Sequence, residues 1–564
     1  MEKIAEIVKQ AIKTLFDIEV DISLTRPEPK FGDYATNVAM QLAGRLKKNP
    51  HEIAESLVRE LQKNDLITAA EVAGPGFINI RLSDANYIEE LNYILTHTDD
   101  YGFSHEYDNK VVVTEFSDPN AFKVLHVGHL YTSIVGDAIS NLVEFAGGQV
   151  HRTNFGGDVG LHVAKCMWGI IHKLGGEYPD KLPVDKSIRD RMQWVAEQYV
   201  AGNKAYDDPK TQPEIVKINT RVYELFDNGD RTSDFAKIYW TARTWSYDYF
   251  DDFYARIGIK FEKYYPESLT APLGLKTVRQ QLKAGIYEKS GDAVIFNGEK
   301  HGLHTRVFIN SNGLPTYEAK DVGLSLTKWN DYHFDKSIIM TANDIIDYMK
   351  VVVKSIEQFA PEPARRTLHI THGILKLPGA EKMASRLGNF LKADDVLNMV
   401  EKLQIEQQGE VDQDTLLGAV RYAMLKNRLG PDVIFEPESS ISTQGNSGPY
   451  LQYSLARAKS ILRKLPSDHS GEISAVQGLE SGERDLLTKI VEFPNVVKSA
   501  TNELAPHLIC TYLYELAQVF NRFYEKSKVE GDPREGLRAR LVFAYNIVLA
   551  RGLTILGIPT PEKM

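Results

Sequence analysis

The sequence predicts an α/β protein: a doubly wound parallel sheet, preceded by a smaller α+β domain and followed by an all-α bundle. Three observations carry this. "VVVTEF", from Val111 to Phe116, is a buried-strand run, and the short loop "SDPN" leads from it into the apolar, helix-competent stretch "KVLHVGHLYTSIVGDAI". The strand-then-helix alternation returns in "GGQVHRTNFGGDVG", with its Gly-rich turn, and in "KSIIMTANDIIDYMKVV". After about Val433 the strand signals stop and helical patterns follow one another to the end.

Along the chain, residues 1–108 form the first expected domain. Helical patterns flank "PKFGDYATNVAMQLAGRLKKNP", and a turn at Gly74-Pro75-Gly76 opens the alternating strand "FINIRL". Residues 109–433 form the sheet domain, interrupted by a mostly helical, charged insertion at about 175–299. "TRVFINSNGLPTYEAKDVGLSL" carries hairpin chemistry at Asn312-Gly313 and then a helix. Residues 434–564 form the helical bundle. There is no internal repeat and no low-complexity segment.

Composition excludes several classes. Charged residues make up 25% of the chain and hydrophobic ones 43%, ordinary values for a globular protein. Its 2 cysteines, Cys166 and Cys510, permit neither a disulfide framework nor a Cys-x-x-Cys metal site, which points to the cytoplasm. "MEKIAEIVKQAIKTLF" reads as an amphipathic helix rather than a targeting peptide, and Asn546 and Arg551 break the longest apolar run, so no membrane association is expected. A formal charge of -10 argues against a uniformly basic nucleic-acid coat but allows local basic patches.

Two stretches carry chemistry. His126 and His129 bracket Gly128 at the mouth of a helix. Glycine lets a phosphate approach the backbone, the helix N-terminus offers N–H groups and a positive dipole end, and imidazoles can donate to phosphate oxygens in a transition state. No third ligand suits a zinc site there, and no P-loop, G-x-G-x-x-G or H-E-x-x-H motif occurs. More than 250 residues later, "EKMASRLGN" sets Lys382, Met383, Ser385 and Arg386 in a Gly-containing loop, where a cation could close over a triphosphate. Tyr317 and Asp321 lie one helical turn apart; a carboxylate with an aromatic surface suits a planar guanidinium. "YLQYSLARAKSILRK" places Arg457, Lys459, Arg463 and Lys464 on one helical segment after Tyr450 and Tyr453, a mixture suited to phosphate contact and base stacking.

The histidine pair and the lysine loop together resemble the signatures of class I aminoacyl-tRNA synthetases, histidine-x-glycine-histidine and KMSKS. "EFSDPNAFKVLHVGHL", "GDVG", "YEAKD", "SGPYLQYSLARA", "GIPTPEKM", "GDYATNVAMQLA" and "AGPGFINI" are similar to segments of the arginyl-tRNA synthetase family, so the resemblance spans nearly the whole chain. It implies a Rossmann-type catalytic domain, an N-terminal domain that touches tRNA, and an anticodon-binding helical bundle. It implies that L-arginine is activated with ATP and transferred to the 3′ end of tRNA. It assigns Lys123, His126, His129 and Lys382 to catalysis. ATP would lie on His126, Gly128, His129, Lys382, Met383, Ser385 and Arg386. Arginine would be held by Glu115, Asn120, Tyr317, Asp321 and Asp344, and tRNA by Tyr450, Tyr453, Arg457, Lys459 and Arg463. Ser385 replaces the second lysine of the common loop, with Lys123 available to supply that charge; Asp344, in "TAND", stands where a glutamine is usual. Mg2+ should accompany ATP without an evident protein ligand, and a monomer is expected. The rival readings are a synthetase for another amino acid, a small-molecule nucleotidyltransferase and a non-catalytic RNA-binding paralogue.

Overall fold

The computed structural model describes residues 2–379, 391–465, 471, 473 and 478–564. These fall into two compact units. One holds residues 103–453, 497–513 and 551–564; the other holds residues 1–102, 454–496 and 514–550.

The larger unit is built on a five-stranded, all-parallel sheet. Its strands lie in the order Thr367–His372, Lys336–Ala342, Val111–Glu115, Gln149–Gly156, Lys263–Pro266. In chain order this is 5-4-1-2-3, so the winding reverses between Val111–Glu115 and Lys336–Ala342. A reversal of that kind opens a crevice at the carboxyl ends of the two strands, where ligands bind in doubly wound sheets. The central strand is buried over Val112–Glu115, and the helix Val127–Phe145 that follows it is buried along most of its length. A strand covered on both faces has to be continuously apolar, which is why "VVVTEF" shows no alternation.

The stretch expected as one helical insertion, 175–299, divides. Helices Ile188–Ala205, Gln212–Asp227 and Asp234–Arg256 come first. Lys263–Pro266 is then the edge strand of the parallel sheet, with Tyr264 beside Asn154 and Pro266 beside Gly156. Helix Glu267–Lys283 follows, and a small antiparallel sheet is made of Glu288–Ser290, Ala293–Phe296 and Arg306–Ile309. "KYYP" is too short to show a periodicity, and its pairing partner is more than 100 residues away, so only long-range contact makes it a strand.

Arg421 is the largest fully buried side chain of this unit. Its guanidinium donates to the Leu556 carbonyl at 2.9 Å and the Ile257 carbonyl at 3.2 Å, and it pairs with Asp137 on the helix Val127–Phe145. The C-terminal turn is thereby tied to the helix that begins at the histidine pair. Arg421→Met should lower unfolding free energy by about 3–5 kcal/mol, because Asp137 keeps a buried charge without its partner. Chemical denaturation measures this; a loss below about 1 kcal/mol would show that the pair is dispensable.

In the smaller unit, an antiparallel sheet runs in the order Leu24–Thr25, Tyr34–Thr36, Phe77–Leu82, Ile67–Ala73, with helices Glu2–Phe16, Val38–Leu46, Pro50–Leu61 and Asp84–Thr96 around it. Arg484, on helix Ser481–Ile490, donates to Asp33 at 2.9 Å and to the Leu82 carbonyl at 3.0 Å, and pairs with Asp84. Residues 1–102 thus share a unit with part of the C-terminal helices, a grouping that cuts across the three consecutive segments expected from the sequence.

Candidate active site

The crevice at the winding reversal is a cavity of about 470 Å³. Glu115, at the end of the central strand, and Ala342 and Asp344, at the end of its neighbour, form its floor; the histidine pair and Tyr317 with Asp321 form opposing walls.

The histidines cap their own helix. The Gly128 N–H donates to Nδ1 of His126 at 3.1 Å, and the His126 N–H donates to Nδ1 of His129 at 3.1 Å. Two orphan donors at the helix start are satisfied reciprocally by the two rings. A Cβ at Gly128 would lie 2.8 Å from Cε1 of His126, so the glycine is required by the ring folded over it. Because both Nδ1 atoms accept, the neutral rings carry their protons on Nε2. Burial, reinforced by Lys123, pushes the His126 pKa down to about 4; burial also holds His129 well below the usual range, with His126 and Lys123 adding to it. At neutral pH the pair therefore consists of uncharged N–H donors. Lys123 itself lies over the Tyr199 ring, 4.4 Å from its centroid.

The lysine-loop residues Lys382, Met383, Ser385 and Arg386 lie outside the described residues. The segment just after them is placed. The Val127 N–H donates to the Leu391 carbonyl at 2.9 Å, and the Ala393 N–H to the Leu125 carbonyl at 3.0 Å. This antiparallel pairing, with His126 opposite Lys392, joins the far flank of the loop to the histidine motif.

The opposite wall is acidic. Asp321 accepts from the Tyr348 hydroxyl, and burial together with Glu115 and Glu267 raises its pKa to about 8, against the effect of that hydrogen bond. Asp118 is raised as well, by burial and then by Glu115, although it accepts the Phe155 N–H at 2.8 Å. Two buried lysines stabilise this cluster. Lys328 pairs with Glu115 and donates to Ser337 at 3.2 Å; Lys320 pairs with Glu267 at 2.6 Å. Carboxylates gathered this way repel one another until a cation joins them. Tyr317 is 52% exposed at the mouth, where its ring can meet a ligand. Asn120 pairs with Gly157, where a Cβ would fall 2.1 Å from the Asn120 Oδ1. Asp344 lies in the field of His126 and His372 rather than of the acidic cluster. The connecting loop is strained, with Ser117, Asp118 and Phe122 all at positive φ.

Sequence reasoning did not name Asp118, Glu267, Tyr348 or His372, all of which line this cavity. Asp118 and His372 stand at or just beyond strand ends, where a doubly wound sheet puts its ligand contacts; that signal was available. Glu267 and Tyr348 reach the cavity from helices with no distinguishing local pattern. Tyr450, Tyr453, Arg457, Lys459 and Arg463 lie elsewhere, on helix Gly448–Lys464; Tyr453 and Arg463 are exposed, whereas Arg457 is half-buried, donating to Asn521 at 3.0 Å.

Family comparison matches residues 90–435 to the catalytic domain of class I (R) tRNA synthetases, residues 2–82 to the arginyl tRNA synthetase N terminal domain, and residues 451–564 to the DALR anticodon binding domain. The arginine–tRNA ligase of Porphyromonas gingivalis W83 is 27% identical over the full length of both chains, and that of Treponema denticola is 29% identical over 96% of this chain and 94% of its own. The fold is shared with the arginyl-tRNA synthetase of Thermus thermophilus, at a TM-score of 0.78 and 24% identity with complete coverage of both chains. The Plasmodium falciparum arginyl-tRNA synthetase superimposes with a TM-score of 0.80 at 22% identity, covering 100% of this chain and 99% of that one. Sheet, capped histidine pair and family match together define a class I aminoacyl-tRNA synthetase. Within that class the chain belongs to the arginyl-tRNA synthetase family, and its activity is that of an arginine–tRNA ligase with ATP as a substrate.

Proposed function

We propose that the two walls of the cavity divide the reaction between them. Arginine's guanidinium enters the acidic wall, where Asp321 is the principal partner and Tyr317 lies along its plane, and Glu115 and Asn120 take its α-amino and carboxylate end. The arginine carboxylate attacks the α-phosphorus of ATP in line, the bond to pyrophosphate breaks, and arginyl-adenylate forms. The Nε2–H groups of His126 and His129 donate to the reacting phosphates. Neutral donors fit this task, since they need no proton loss as charge shifts among the oxygens. Lys123 and Lys382 offset the triphosphate charge, and Gly128, Met383, Ser385 and Arg386 complete its cradle. Asp344, beside His126 and His372, faces the nucleotide end rather than the guanidinium. A hydroxyl of the terminal tRNA ribose then attacks the arginyl carbonyl and AMP leaves. The observation that carries this reading is the pairing of neutral imidazole donors with a buried carboxylate cluster across one cavity.

Among the described residues no group of three or more His, Cys, Asp or Glu side chains could hold a metal. Mg2+ would therefore arrive with the phosphates of ATP, bound by them and by water. Among the described residues no helix is long and apolar enough to cross a membrane. A cytoplasmic monomer is the proposed state, which light scattering of the purified chain would test. The decisive assay is charging of tRNA with each amino acid in turn, together with ATP consumption with and without tRNA. Arginine alone should support both; charging by another amino acid, or by none, would overturn the reading.

For the helix Gly448–Lys464 we propose anticodon contact through Tyr450, Tyr453, Arg457, Lys459 and Arg463. Arg463→Ala should weaken tRNA binding and flatten its log–log salt dependence by about 0.7–0.9 per lost phosphate contact. Arg457→Ala should in addition loosen the helix packing that its bond to Asn521 supports. Arginine activation at saturating tRNA should return to near wild type. Activation that stays low would show that this helix shapes the active state.

A further inference from the structure

A second cavity, of about 520 Å³, adjoins the first within the same unit. The two share their partition. Glu267 faces the amino-acid cavity and Ser268 the second; Tyr317 faces the first and Pro315 the second. On one wall, the helix Glu267–Lys283 contributes Lys276, Arg279 and Lys283. Spacings of three and four residues put all three on one helix face, and all three are exposed. Arg279 reaches the Gly313 carbonyl at 3.4 Å; among the described residues neither Lys276 nor Lys283 has a carboxylate partner. The facing wall, from helix Gln212–Asp227, presents Tyr223 and Phe226, and Asp227 is the single carboxylate of the lining. Phe226 is held edge-on by Tyr239 and Trp240, with centroids 5.8 and 5.2 Å away.

We infer that this cavity receives the single-stranded 3′ tail of the tRNA on its way to the arginyl group, an inference that rests on the ligase reading above. Three cations against one carboxylate select a polyanion. Aromatic rings opposite a basic stripe suit unpaired bases, which stack on the rings while their phosphates meet the cations. A cleft one side chain wide on each wall admits a single strand and not a duplex. The shared partition brings the terminal ribose next to the place where the arginyl carbonyl is formed, so the tail needs no further path.

The test uses the full-length chain with Lys276→Ala/Lys283→Ala, an intact arginine tRNA, and the same tRNA lacking its unpaired 3′ nucleotides. The variant should lose at least tenfold in kcat/KM for intact tRNA. Its log–log salt dependence should be shallower by about 1.4, for two phosphate contacts at roughly 0.7 each. Binding of the shortened tRNA, of arginine and of ATP should match wild type. Phe226→Leu, which keeps the packing against Tyr239 and Trp240 but removes the ring, should also lower kcat/KM for intact tRNA. Equal losses on intact and shortened tRNA would place the stripe on the duplex and overturn the inference, as would an unchanged kcat/KM. A wild-type chain that charges no tRNA would instead refute the ligase reading, a result distinguishable from either.

Discussion

His129→Ala is expected to slow adenylate formation by about 10²–10³-fold, the usual cost of removing one positioned donor from a developing anionic centre. The ring has two roles, however. Its Nε2–H is assigned to the phosphates, while its Nδ1 accepts the His126 N–H at 3.1 Å and closes the helix cap. Loss of a cap costs about 1 kcal/mol of stability, a separate effect from the rate. His129→Asn separates the two, because the amide oxygen reproduces the Nδ1 acceptor without placing a donor at Nε2. The expected result is a near-normal melting temperature with a slow activation rate, while the equilibrium affinity for ATP changes much less. Single-turnover kinetics with saturating tRNA measures the rate. If the Asn variant regains wild-type turnover, the histidine serves the helix and not the phosphate.

Asp321→Asn is expected to weaken arginine binding by about 1.5–3 kcal/mol, the range for hydrogen bonds to charged groups, or roughly ten- to hundred-fold. It should leave ATP binding almost unchanged. The pH dependence is the sharper readout. In the empty pocket Asp321 titrates at about 8, because burial and the neighbouring Glu115 and Glu267 disfavour its anion. A bound guanidinium favours the anion and lowers that pKa. Below pH 8, binding must therefore expel a proton, so apparent affinity should rise by up to tenfold per pH unit and level off above about 8. Calorimetry in two buffers of different ionisation enthalpy would report the released proton directly. The Asn variant should show weak binding with this pH dependence removed. Persistence of the slope in the variant would assign the proton to Asp118 or Glu267, and equal losses for arginine and ATP would make Asp321 a support of the fold.

Much of this was legible in local sequence, and the reason is that the corresponding physics is local. A strand covered on both faces reads as an apolar run, and Val111–Phe116 does. A helix cap is made by residues within a turn of each other, and His126, Gly128 and His129 are adjacent. Tyr317 and Asp321 share a helix face through a spacing of four. Where a side chain's role depends on partners far along the chain, the sequence was silent. Lys328 reads as a surface lysine on helix Tyr317–Tyr332, yet it is buried against Glu115, more than 200 residues away. Glu267 and Tyr348 acquire their meaning only when their helices converge on Asp321.

By itself, then, the sequence determined the alternating strand–helix frame, the phosphate-facing histidine cap and the family to which both belong, since each is written in residues a few positions apart. Only the tertiary structure decided which carboxylates meet in the arginine wall and how burial holds Asp321 near neutrality. It also decided that Lys263–Pro266 closes the sheet rather than belonging to a helical insertion, and that Leu391–Ala393 lies against the histidine motif. The physical reason is that desolvation and long-range pairing depend on what surrounds a residue in space, and a neighbour list of that kind exists only after the chain has folded.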